Sequence, residues 1–306
     1  MTAATLQGAA RAGNRRGILL MVLACLVFAG QDGLSRHLAE SANPVMVVMV
    51  RYWFFAAFVV TLARRQGGSV RAAAATSRPW LQAVRGLLLA AEICVTVWAF
   101  TLLGLAQTHA VLAASPLLIV ALSGPVLGER VGWRRWAAVG AGFLGILVIL
   151  DPGSGALAPA ALVPLAGAAM WAIYQVLTRL AARTDSSATS FFWTGTMGAA
   201  GMTAAGIWFW EPLAPADWGF MATLCLTGVA GHWLLIRCYE AAEASSVQPF
   251  AYLQLVFATA VGALLFGERL ETHVVVGAAI VVAAGLFALG RERRAKALEA
   301  PGATQG

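Results

Sequence analysis

"GPVLGERVGW" (124–133) and "ALLFGERLET" (263–272) carry the same Gly-Glu-Arg triplet, 139 residues apart. Each triplet ends one apolar run and opens another, which is the form of a turn between two helices. Gly128 and Gly267 can end a helix in the left-handed conformation, leaving the charged pair in an interfacial turn of an αα-hairpin. A hairpin said twice at this distance makes the chain two copies of one unit, and composition decides what that unit is.

Of 306 residues, 60% are hydrophobic and 11% charged, against roughly 25% charged in a soluble domain. The apolar residues fall into ten runs, approximately 17–39, 44–63, 80–103, 108–127, 133–150, 160–180, 188–210, 218–239, 246–266 and 272–290. About 20 such residues cross the hydrocarbon core of a bilayer. The expected fold is therefore all-α, a polytopic integral membrane protein with ten transmembrane helices and loops too short to hold a soluble domain. The first run, behind Arg15 and Arg16, has the outline of a signal-peptide apolar region, but nine further runs favour a first span.

Five spans is an odd number, so a duplicated five-span unit enters the membrane the second time in the opposite sense, as an inverted repeat. A second echo agrees: "LSRHLAE" (34–40) resembles "LTRLAAR" (177–183), with Ser35-Arg36 matching Thr178-Arg179 at an offset of 143. The expected organisation is a tail at 1–16, a first five-helix repeat at 17–150, a linker at 151–159, a second repeat at 160–290 and a tail at 291–306.

The net charge of +7 raises nucleic acid as a partner, and the placement of the charges argues against it. With the N-terminus inside, cytoplasmic segments collect Arg11, Arg15, Arg16, Arg64, Arg65, Arg71, Arg78, Arg130, Arg134, Arg135, Arg179, Arg183, Arg291, Arg293, Arg294 and Lys296, whereas the opposite loops hold essentially Arg269. That is the positive-inside pattern, and it places both termini in the cytoplasm. The implied partners are the bilayer and a small-molecule substrate; a coupling proton and a homodimer stay open.

Several chemistries drop out. Cys25, Cys94, Cys225 and Cys238 lie inside spans without metal or disulfide spacing. "GAGFLG" (140–145) matches a dinucleotide-loop pattern but sits within an apolar span with no preceding strand, so it reads as small-residue helix packing; Gly195 with Ala199 and Gly201 with Ala205 read the same way. The only lysine, Lys296, lies in the tail, so no phosphate-loop lysine exists for ATP. No metal cluster, cofactor site or nucleophile–base arrangement stands out, and the chain is not expected to be an enzyme.

Two five-span halves, "LGER" and "FGER" after spans four and nine, and "MWA" in span six resemble the drug/metabolite transporter superfamily, in particular proteins built from two EamA-type domains. The resemblance covers about 16–290. "HAVLAASPLLIVALSGPVLGERVGWRRWAAVGAGFLGILVIL" (109–150), with "VRGLLLAAEI" (84–93) before it, is most similar to the bacterial branch that includes riboflavin importers. The resemblance implies a secondary transporter of the bacterial inner membrane working by alternating access, with flavin uptake as the leading activity and export of amino acids or related metabolites as the alternative.

Polar residues inside the spans are the candidate site, because a charge at a helix centre costs about 2.5–3.5 kcal/mol on insertion scales and so faces a cavity or a partner. Asp32 and Arg36 share a face of span one at four-residue spacing, and Arg51 reaches in from the end of span two; a structural ion pair among them is as open as a functional role. Arg85 and Glu92 share a face of span three two turns apart. Glu92 has no opposite charge within a turn, so another helix supplies a partner or it is neutral and able to carry a coupling proton. Arg237 and Glu240 read as a solvated helix end. Trp80, Trp133, Trp136, Trp208, Trp210 and Trp218 read as interfacial anchors. Trp98, Trp171, Tyr174, Gln175, His232, Trp233, Tyr252 and Gln254 are the mid-membrane set, ring faces with a few hydrogen-bonding groups that suit a flat heteroaromatic solute, though packing explains each singly. His109 reads as an interfacial histidine or a pH-sensitive gate.

Overall fold

A computed structural model describes residues 3–65, 69–128, 132–150, 160, 162–241 and 248–299. Glu129, Arg130, the 151–159 linker, the side chains of Glu240, Arg135 and Arg11, and those of the C-terminal arginines and Lys296 lie outside the described residues.

The described residues form eleven α-helices: α1 (Ala3–Ser41), α2 (Pro44–Arg65), the single turn α3 (Val70–Ala73), α4 (Pro79–Leu112), α5 (Ser115–Leu127), α6 (Trp133–Leu150), α7 (Leu162–Ala181), α8 (Ser187–Gly206), α9 (Asp217–Ala241), α10 (Leu253–Phe266) and α11 (Thr272–Glu299). Four described segments, Arg15–Ser41, Pro44–Arg65, Pro79–Leu112 and Asp217–Leu235, are long and apolar enough to cross a membrane by length and composition alone. The others are shorter or carry more polar residues.

Local chemistry sets the boundaries. Asn43 Oδ1 accepts from the Val45 amide at 2.9 Å at the start of α2, Pro79 opens α4, and Ser186 caps α8 by accepting from the Thr189 amide at 3.1 Å. Such caps satisfy amides that have no partner within the helix. Spans three and four divide at Gly104, whose φ of 76° and ψ of 178° interrupt α4; that backbone region is open only to glycine.

The duplication is visible in the helix ends. Gly128 (φ 73°) ends α5 and Gly267 (φ 66°) ends α10, both left-handed. It is equally visible in the packing. α1 packs on α9 and α10, while its counterpart α7 packs on α4 and α5; α2 packs on its own counterpart α8, and α6 on its counterpart α11. Exchanging the two halves leaves this set of contacts unchanged, as an inverted repeat requires.

The α6–α11 pair comes together through glycine. A Cβ on Gly277 would stand 2.6 Å from the Gly145 carbonyl oxygen, and one on Gly145 would stand 2.9 Å from that of Gly277. "GAGFLG" is thus a backbone-to-backbone packing surface. Gly195 lies against Val59 and Phe55 of α2, and Gly201 against Leu87 of α4, which is small-residue packing again. One core gathers Met46, Met49, Tyr52, Met202 and Leu224 from α2, α8 and α9; another gathers Val111, Ile146, Ile149 and Val281 from α4, α6 and α11.

Candidate functional site

The polar side chains within the bundle fall into three layers. At the end that holds Ser41, the N-terminus of α9 and Gly267, the second Gly-Glu-Arg does more than turn the chain. Glu268 bonds Arg36 of α1 and accepts from the backbone amides of Leu105 and Ala106 at 2.7 and 2.9 Å. Those amides are exposed because Gly104 breaks the helix immediately before them, and a Cβ at Gly104 or at Gly262 would collide with the Glu268 carboxylate. Arg36 also lies over the Phe266 ring, 4.1 Å from its centroid. One carboxylate therefore joins α1 and α4 of the first half to the α10–α11 turn of the second, beside a cavity of about 190 Å³.

One layer deeper, Asp32 Oδ2 accepts from Gln254 Nε2 of α10 at 2.8 Å and lies 3.1 Å from His109 Nε2 of α4. His109 stacks on Phe100 with centroids 5.5 Å apart. The ion pair that the sequence left open between Asp32 and Arg36 or Arg51 is not formed. Four-residue spacing puts Asp32 and Arg36 on one face, but that face meets α4 and α10, and each charge finds a partner there. His109 is buried within the bundle.

Arg51, on α2, lies within electrostatic reach of Glu92 and His232. Glu92, 6% exposed, accepts from Thr96 Oγ1 at 2.7 Å, one turn further along α4. His232 holds its Nδ1 2.8 Å from the Gly228 carbonyl oxygen and packs its ring against Phe28, Phe55 and Phe191.

The third layer lies toward the opposite end and is built on Arg85, only 1% exposed. Its guanidinium donates to Gln82 Oε1 at 2.9 and 3.1 Å, to Tyr174 OH at 3.1 Å, to Thr178 Oγ1 at 3.3 Å, and to the Ser190 carbonyl. Gln82 in turn donates to Asp185 at 2.7 Å, where Thr76 also donates. Desolvation opposes ionisation of Asp185, but hydrogen bonds from Gln82, Thr76 and Thr184 and the charge of Arg78 outweigh it and hold this carboxyl below the usual carboxylate range. The network ties α4 of the first half to α7, α8 and the turn between them in the second. From that turn Arg183 donates to the Leu127 carbonyl at the end of α5, at 2.9 Å.

Trp98 and Trp233 do not belong to these layers. Both face outward, 52% and 55% exposed, because a position near the middle of a helix says nothing about which side of it faces inward. Tyr252 turns its hydroxyl onto Gly285 of α11, and that hydroxyl is buried without a partner. Trp171 and Tyr174 remain together with centroids 5.5 Å apart, and Gln175 is half-buried beside them on α7. Arg237 is exposed, as expected for a helix end. Glu268, His109, Arg85, Gln82 and the phenylalanines around His232 are candidate site residues that sequence reasoning left out or assigned a passive role. The repeat itself held the signal for Glu268, since a triplet preserved between halves in which little else matches does more than a generic turn needs.

The described residues hold no cluster of metal ligands. What they hold is a set of hydrogen-bonding and aromatic groups enclosed between two halves, with polar ties that bridge the halves toward both ends.

Comparison with known proteins agrees with this architecture. The chain is 31% identical over 285 residues to a riboflavin transporter of Rhizobium johnstonii, covering 91% of this chain and 92% of that protein. It is 24% identical over 281 residues to an S-adenosylmethionine uptake transporter of Rickettsia prowazekii, covering 91% and 94%, and 25% identical over 288 residues to a pseudopaline exporter of Pseudomonas aeruginosa, covering 92% and 98%. The model of the EamA-like transporter family matches twice, at residues 15–151 and 158–290. The chain, with its two repeats and its polar interior, belongs to the EamA-like transporter family.

Proposed function

We propose that this chain, a multi-pass protein of the bacterial inner membrane, takes up riboflavin or a closely related flavin by alternating access. The observation that carries the reading is the middle layer, where ring faces from α1, α2, α8 and α9 surround a few hydrogen-bonding groups between the two halves. Such a mixture suits a flat, uncharged heteroaromatic solute, and the similarity to a riboflavin transporter over nine-tenths of the chain points to the same substrate. Rocking of the halves exposes the layer to one side at a time. Glu268 with Arg36 closes the Ser41 end, and the Arg85 network closes the other. Glu92 carries the coupling proton. Both termini lie in the cytoplasm, following the arginine distribution.

Uptake of labelled riboflavin in a bacterial strain that neither makes nor imports it tests the activity. Saturable, chain-dependent uptake that unlabelled riboflavin competes away is expected. No uptake despite verified membrane expression refutes flavin import and leaves metabolite export, favoured by the similarity to an exporter, as the reading to assay. Orientation is tested with single cysteines on a cysteine-free background: Pro215→Cys is labelled from outside by an impermeant thiol reagent and Ala182→Cys is not. Reversed labelling overturns the orientation.

A further inference from the structure

Among the described residues Arg51 makes no hydrogen bond or ion pair. Gln31 of α1 is 4% exposed, and its Oε1 is buried without a partner. The two meet over Gly228 of α9, where a Cβ would stand 3.3 Å from Arg51 Nε and 3.3 Å from Gln31 Oε1. An unused donor group thus lies beside an unused acceptor, over a residue whose missing side chain leaves both in place. Unmet polar groups at this depth are unfavourable, so a pair of complementary ones side by side marks the place for a ligand edge that offers an acceptor next to a donor.

One helical turn away, on the same three helices, stand Phe28, Phe55 and His232. On α1 and α2 the polar member, Gln31 or Arg51, is the one nearer the Ser41 end, and on α9 that position is held by Gly228, with His232 beyond it. His232 lies 5.4 Å from Phe28 and 5.8 Å from Phe55, centroid to centroid. Phe191 joins from α8, 4.7 Å from Phe55. At these separations the rings pack on one another, so in this state they close the place that a fused ring system, reaching across one turn of about 5.4 Å, takes by parting them.

We infer that the chain holds its substrate by an imide edge: Arg51 donates to a ring carbonyl, Gln31 Oε1 accepts from the adjoining N–H, and the rings lie among Phe28, Phe55, Phe191 and His232. This rests on the flavin reading above and deepens it. The alternation of C=O and N–H along the pyrimidinedione edge of a flavin is the complement of this donor and acceptor. The same site disfavours a sulfonium cation, because Arg51 has no carboxylate partner and Glu92 turns to Thr96 instead.

The test uses the full-length purified protein in nanodiscs and flavin fluorescence. Lumiflavin, which has the ring system and the imide, is compared with N3-methyllumiflavin, whose imide N–H is blocked. The wild type is expected to bind the methylated ring at least about tenfold more weakly, the effect of stranding one buried polar group. In Gln31→Met lumiflavin itself binds more weakly and the ratio between the two ligands falls below about threefold, whereas Arg51→Gln weakens both ligands and leaves the ratio near that of wild type; thermal melting confirms that the variants fold. Equal binding of both ligands by the wild type overturns the imide assignment while leaving flavin transport standing. Binding of neither overturns both. The wild-type comparison decides the matter even if a variant fails to fold.

Discussion

Replacing Glu268 by alanine removes three interactions at once: the ion pair with Arg36 and the two amide bonds at Leu105 and Ala106. The Arg36 and Glu268 side chains are only 16% and 14% exposed, so this pair belongs with buried ones, where loss of one partner costs about 3–5 kcal/mol. The adjoining cavity of about 190 Å³ admits water to the stranded groups, which puts the expected loss at the lower end, about 3 kcal/mol. For a chain of this size about 2 °C of melting temperature corresponds to each kcal/mol, so Glu268→Ala melts about 6 °C below wild type, with both measured in the same detergent at the same scan rate. Glu40 supplies the contrast. It also pairs with Arg36, at 3.3 Å, but is 50% exposed, and an exposed pair contributes about 0–1 kcal/mol. Glu40→Ala therefore melts within about 2 °C of wild type. If the two variants melt alike, or Glu268→Ala is not destabilised, Glu268 does not tie the two halves together as described.

Trp98→Ala leaves flavin affinity within about twofold of wild type because the ring faces outward; a tenfold loss in a binding titration would return Trp98 to the site. Glu92→Gln lowers the rate of uptake or flattens its pH dependence, and uptake equal to wild type at every pH would remove its role in coupling. For Asp185 the folded carboxyl lies below its ordinary range. Its contribution to stability is therefore present above the unfolded value, near 3.9, and lost as pH falls through the folded one. Asp185→Asn should be less stable than wild type at neutral pH and show a shallower acid limb, and superimposable melting-versus-pH curves for the two would contradict the network drawn around Gln82.

Much of the fold was legible because the membrane makes it so. A bilayer demands long apolar helices, and the runs at 80–103 and 108–127 already divided where Gly104 breaks the chain. Gly128 and Gly267 were readable as left-handed helix ends because little else suits that backbone. The site was less legible, for a geometric reason. Local spacing compares residues a turn apart, whereas Asp32 meets residues 77 and 222 positions away, and Arg36 meets one 232 away. No periodicity within a span carries that information. Trp98 shows the same limit in another form. At 100° per residue, Arg85 and Glu92 fall within about 20° of each other and both are buried, whereas Trp98 lies about 120° round the helix from Glu92 and faces out.

The glycine contact between α6 and α11 has a consequence for motion. Two inverted halves reach their two end states by trading roles, so a contact between a helix and its own counterpart looks the same in both, while a contact between unlike helices must be exchanged for its mirror. α6 with α11, joined backbone to backbone at Gly145 and Gly277, and α2 with α8 are of the first kind; α1 with α9 and α7 with α4 are of the second. Under the proposed alternating access, the first two pairs would serve as the pivots and the other two as the moving parts. Bulk added at Gly145 would burden both end states equally and leave their ratio unchanged, whereas bulk added at Gly231, which lies against Phe28 across α1 and α9, would favour one facing over the other.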